Sequence, residues 1–141
     1  MSKPSGSKKF RVVIGVGDKI VAKDLSVMLT RLNCVVAQEA ATTTDVILKV
    51  ASDESKPDIV IMQLGLPGEV DAVQAALDIY EKFNVPTLYI VTAADSPRYE
   101  KMAEKNYYGH IRKPYDLAAL SAAIQKAIVK HLNEFLKRPA E

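Results

Sequence analysis

The sequence predicts an α/β domain in which a five-stranded parallel sheet carries helices on both faces. Three observations point there. Short, nearly continuous β-branched runs occur at Phe10 to Gly15 and Pro57 to Met62. Segments with helical apolar spacing separate such runs. The length of 141 residues suits one compact core and is too short for two ordinary domains. Hydrophobic residues make up 48% and charged residues 26%, so the chain has the profile of a globular protein rather than a disordered one.

Taken in order, Phe10 to Gly15 reads as the first strand. Ile20 to Leu32 reads as a helix, because Val21, Leu25, Met28, Leu29 and Leu32 fall on one face. Cys34 to Ala37 is the second strand. Thr42-Thr43-Thr44 offers an N-cap to a helix whose apolar side runs through Val46, Ile47 and Val50. The run Pro57 to Met62, ended by the turn Gly65-Leu66-Pro67-Gly68, is a third strand and belongs in the sheet centre. A helix around Ala72 to Phe83, a strand Pro86 to Val91, a helix around Pro97 to Lys105 and a short strand Tyr108 to Ile111 follow. A long helix from about Asp116 closes the chain, with Leu117, Leu120, Ile124, Ala127, Ile128 and His131 on its inner side. Right-handed crossovers leave few arrangements for five strands alternating with five helices. The expectation is a flavodoxin-like, doubly wound (βα)5 fold with strand order 2-1-3-4-5. Its working crevice lies beyond the carboxyl ends of the strands. The residues placed there are Val16, Gly17, Asp18, Gln63, Gly65, Thr92, Ala93 and Lys113.

Residues 1–9, with three lysines and no apolar residue after Met1, read as a flexible basic tail. Residues 10–132 form the domain, and residues 133–141 extend the last helix. No apolar run reaches membrane-spanning length and no signal-peptide core opens the chain, so a cytoplasmic location is expected. The formal net charge of +2 resides partly in the tail, a weak footprint for nucleic acid. Cys34, the single cysteine, excludes an internal disulfide and is expected to be a buried, inert thiol.

Three segments carry a family resemblance: Pro57-Asp58-Ile59-Val60-Ile61-Met62-Gln63-Leu64-Gly65-Leu66-Pro67-Gly68, Val85-Pro86-Thr87-Leu88-Tyr89-Ile90-Val91-Thr92-Ala93, and Tyr108-Gly109-His110-Ile111-Arg112-Lys113-Pro114-Tyr115. In this order and spacing the chain resembles the receiver domain of two-component response regulators over nearly all of residues 10 to 132. Asp71 soon after the Pro-Gly turn and the Lys130-His131 ending look like stand-alone receivers. The resemblance implies an aspartate at the end of the third strand that a histidine kinase phosphorylates. It also implies Mg²⁺ held there with an acidic pair after the first strand. This sequence has Gln63 at the acceptor position and Val16 and Gly17 at the acidic pair, with Asp18 one place later. An amide is a poor nucleophile, so the transfer chemistry is expected to be lost. One carboxylate gives Mg²⁺ too little anionic oxygen, so no metal or other cofactor is expected. Thr92 and Lys113 match the retained hydroxyl and lysine of the family's switch. Without a phosphoryl group, Lys113 is expected to pair with Asp18 or the Gln63 amide, and Thr92 to bond local backbone. His110 matches the switch aromatic, and with Tyr99, Tyr107, Tyr108 and Tyr115 it suggests a partner face.

The expected function is therefore that of a stand-alone pseudo-receiver, a phosphorylation-independent interaction module that is not an enzyme. Its partner would be a signalling protein such as a histidine kinase or pathway component. The surplus apolar positions Leu132, Phe135 and Leu136 allow a homodimer. Two alternatives compete. Gly15-Val16-Gly17-Asp18-Lys19-Ile20 with Glu39 resembles part of a dinucleotide fingerprint, although Ile20 replaces its third glycine. A displaced carboxylate, Asp18 or Asp71, would instead keep a phosphorylated receiver working. No catalytic cluster can be assembled from the crevice residues, and no basic reading helix supports direct contact with nucleic acid.

Overall fold

β1 (Phe10–Gly15), β3 (Ile59–Gln63) and β4 (Thr87–Val91) are interior strands of the computed structural model, which describes residues 9–98 and 107–137. Their side chains from Val12 to Ile14, Ile59 to Met62 and Leu88 to Val91 are buried on both faces, as the continuous apolar runs require. β2 (Cys34–Ala40) and β5 (His110–Arg112) form the edges. The five strands pair in parallel in the order β2-β1-β3-β4-β5, the doubly wound arrangement expected.

β2 extends three residues beyond the expected end at Ala37. The register steps from Val12 opposite Val36 to Val13 opposite Gln38, so the ladder absorbs Ala37 and continues to Gly15 opposite Ala40. As an edge strand it has one neighbour and an open side, so the polar Gln38 and Glu39 do not end it.

α1 (Lys19–Arg31) and α4 (Leu117–Leu136) cover one face, where Leu25, Leu29, Leu120 and Ile124 meet the inner side chains of β1 and β3. α2 (Thr43–Ser52) and α3 (Ala72–Phe83) cover the other through Val46, Val50, Ala75 and Ile79. Each helix starts at a side-chain oxygen that accepts from first-turn amides: Asp18, Thr42, Asp71 and Asp116. After β4 the chain enters a 3-10 turn at Ala93–Arg98. The remainder of the helix expected over Pro97 to Lys105 lies outside the described residues, as do residues 1–8 of the expected tail.

The loop after β3 is stapled to the start of α2. Thr43 donates its amide to the Pro67 carbonyl at 2.8 Å and its hydroxyl to the Val70 carbonyl at 2.6 Å. Gly68 lies against this threonine with φ of 154°, which sets the path of the loop and hence the position of the cleft beside Gln63.

Candidate functional site

The carboxyl ends of β3 and β4, the turn after β4 and the loop after β5 meet at a small cleft of about 240 Å³, lined by Gln63, Gly65, Ile90, Thr92, Asp95 and Lys113. The sheet register places Gln63 there. β3 runs one residue past the Gly15–Met62 pair, which brings the Gln63 side chain beside the loop leaving β1. Its Oε1 accepts from the Gly17 amide at 2.9 Å. Val16 is 4% exposed and packed in the core, so it presents no group to the cleft.

Asp18 is oriented toward its own helix. Its Oδ1 accepts from the amides of Ile20 at 2.7 Å and Val21 at 3.2 Å, which places an anion against the positive end of the α1 dipole. The two contacts expected for Lys113 are absent among the described residues. Asp18 is committed to the helix cap and the Gln63 oxygen to Gly17, so the Lys113 side chain lines the cleft without either. The Lys113 backbone amide donates to the Val91 carbonyl at 2.9 Å, which anchors this loop to β4.

Thr92 also differs from expectation. Instead of local backbone, its hydroxyl donates to Asp95 Oδ2 at 3.1 Å, and its amide donates to the same oxygen at 3.1 Å. Asp95 is the cleft residue that sequence reasoning missed. The available signal was the Thr-x-x-Asp spacing directly after a strand, where a short acidic side chain reaches back to close a turn. The other crevice candidate, Ala93, is exposed at the start of that turn.

The sequence matches the response regulator receiver domain over residues 14–125, most of the chain. The chain belongs to the receiver domain family. No curated protein matches it by sequence. Solved structures share the fold at low identity. The signal receiver domain of a modulated diguanylate cyclase from Desulfovibrio desulfuricans G20 superimposes with a TM-score of 0.79 at 23% identity, over 90% of this chain and 99% of that one. A response regulator receiver domain from Clostridium thermocellum gives 0.78 at 16%, over 90% and 98%. The PhyR REC domain of Erythrobacter litoralis gives 0.74 at 22%, over 94% and 96%.

On this receiver, β5 carries the second group of candidate residues. His110 is exposed, and its Nδ1 is hydrogen-bonded to the Tyr107 hydroxyl, with the two rings stacked at 5.9 Å between centroids. Partial desolvation and then the neighbouring Arg112 cation hold the His110 pKa below its ordinary value. Beside it a groove of about 570 Å³ runs between β5 and α4, lined by His110, Arg112, Tyr115, Ala119 and Lys126 among others. Tyr115 is half-buried, and burial followed by the Asp24 charge raises its pKa.

Tyr108 has to be withdrawn from the partner face. It is 3% exposed, and its ring sits 5.5 Å from Tyr80 and 5.8 Å from His131 between centroids. Its hydroxyl donates to Glu134 Oε1 at 2.7 Å. Facing the cluster between α3 and α4 gives the large ring a buried site and its polar tip a partner, whereas an outward orientation gives it neither. Tyr99 lies outside the described residues. Among the described residues no helix is long and apolar enough to cross a membrane.

Proposed function

We propose that this receiver domain acts in signal transduction as a phosphorylation-independent protein-interaction module. The observation that carries the reading is that two cleft side chains are bonded within the chain: Gln63 accepts from Gly17, and Asp95 takes both the hydroxyl and the amide of Thr92. An amide at the end of β3 offers no carboxylate to form an acyl phosphate. The Thr92 hydroxyl, which would follow a phosphoryl group, already has an anionic partner from its own turn.

The donor set does not fit Mg²⁺. Asp95 is the only carboxylate lining the cleft among the described residues, and the Lys113 cation shares that space. A hard divalent ion needs more anionic oxygen than that. Displaced phosphorylation at Asp18 or Asp71 meets a similar difficulty, because both carboxylates cap helices, Asp71 through the Gln74 amide at 2.8 Å. Nucleotide binding fares no better: the Gly17 amide serves Gln63, and the α1 amides that would receive a pyrophosphate serve Asp18. The partner we infer is another signalling protein, a histidine kinase or pathway component, seated on the β5–α4 groove around His110 and Tyr115. That groove combines aromatic side chains with the Arg112 and Lys126 cations.

The test pairs intact mass after acetyl phosphate and Mg²⁺ with amide NMR spectra before and after beryllofluoride and Mg²⁺. No added mass and unmoved Gln63, Thr92 and Lys113 peaks are expected. A phospho-adduct would overturn the reading, and its loss in Asp95→Asn would locate the acceptor.

A further inference from the structure

We propose that the end of α4 is a reversible docking surface for an anionic lipid membrane, on which the helix lies without crossing it. The helix outruns the core that it covers. Leu120, Ile124 and Ala127 are buried against the sheet, but from Ile128 to Lys137 no residue is buried, and Val129, Leu132, Phe135 and Leu136 are 55%, 52%, 53% and 77% exposed. Phe135 marks the change. It lies within about 20° of Ile124 around the helix axis, yet three turns further along the axis the core no longer covers that direction. At about 3.6 residues per turn, Phe135, Leu132, Leu136 and Val129 fill one sector about 120° wide, and Lys126, Lys130 and Lys137 line one border of it.

Charge selects the occupant. Lys130 donates to the Tyr107 carbonyl, a neutral acceptor that leaves the ammonium charge in place. Glu134 is the one acidic residue of α4, and it turns inward to accept from the Tyr108 hydroxyl at 2.7 Å. The outer side of the helix end therefore presents apolar groups and cations without a carboxylate between them. An interfacial helix has this layout: the apolar sector enters the acyl boundary, and lysine stems run along it to place their ammonium groups among anionic headgroups. Neither half suffices alone, since four partly exposed side chains bury little area and three lysines attract modestly, so the binding is reversible and sensitive to salt. The surface shares no residue with the Gln63 cleft and only Lys126 with the β5–α4 groove, so it stands or falls separately from phosphate independence.

Co-sedimentation of the full chain with phosphatidylcholine vesicles containing about one-third phosphatidylserine tests the docking. Binding is expected, at least about tenfold weaker to phosphatidylcholine alone and similarly weakened near molar salt, where screening acts within about 3 Å. Leu132→Gln combined with Leu136→Gln removes apolar contact without adding charge and should weaken binding at least about tenfold. Both leucines are exposed, so circular dichroism and melting of the pair should match the parent. The chain has no tryptophan, so Phe135→Trp supplies a single reporter whose emission should shift to the blue on the anionic vesicles. No binding to those vesicles, equal binding to the neutral ones, binding indifferent to the two glutamines, or binding without the blue shift overturns the proposal.

Discussion

Gln63 contributes to this domain through one hydrogen bond that ties the end of β3 to the loop leaving β1. Replacing it with alanine leaves the Gly17 amide to water, which reaches this exposed site, so the loss should be about 0.5–1.5 kcal/mol. Denaturant midpoints should show it, together with faster hydrogen exchange at Gly17. An unchanged midpoint would mean that water already competes for that amide. His110 contributes to the acid side of the stability profile. Its pKa is lowered by desolvation first and Arg112 second, so the unfolded chain binds the proton more readily than the folded one. Its contribution is present above the ordinary histidine value of about 6.5 and is lost as pH falls through the lower folded value. Melting temperature should therefore decline below about pH 6.5 in the parent and decline less in His110→Gln. Equal slopes in the two proteins would remove His110 from the account.

The loop between β3 and α3 and the start of α2 behave as one mechanical unit through Thr43 and Gly68. A Cβ on Gly68 would sit 1.9 Å from Thr43 Oγ1 and 2.9 Å from its amide nitrogen, at a φ that side chains rarely adopt. Gly68→Ala should cost about 2–3 kcal/mol by urea denaturation, since backbone strain and a displaced buried threonine act together. Gly65→Ala is the matched control: its nearest neighbour is Asp95 Oδ1 at 3.7 Å, and its effect should be small. Element boundaries were readable where a cap or a turn marks them. Phe10 to Gly15 and Ala72 to Phe83 appear as expected, the second because Asp71 starts the helix and Asn84 ends it in a left-handed conformation. β2 runs past its expected end because the polar Gln38 and Glu39, which interrupt the apolar pattern before the buried Ala40, are held in the strand by pairing with β1 rather than by their own pattern.

Across the whole molecule, tyrosines that folding desolvates contribute to the alkaline limit. Tyr89, Tyr108 and Tyr115 all have raised pKa values, with burial the leading cause in each. The neutral phenol is the form that the fold accommodates. Its contribution is complete below the unfolded value of about 10 and is lost as pH rises beyond it. Unfolding free energy should fall from about pH 10 upward. Tyr108→Phe should flatten that fall while weakening the attachment of α4 through Glu134. An identical alkaline slope in the variant would assign the effect to other groups.

The parallel α/β architecture and the Thr42 cap were legible in the sequence alone, because apolar period and a capping oxygen are local properties that each segment expresses before it meets the others, and the sheet order followed from the few arrangements that right-handed crossovers allow. The lack of a carboxylate at position 63 was equally plain. Only the tertiary structure decided that Gln63 serves Gly17, 46 residues away, and that Tyr108 faces inward between Tyr80 and His131. Such contacts depend on strand register and on which helix lies across which strand, and both emerge only when distant segments compete for the same buried space.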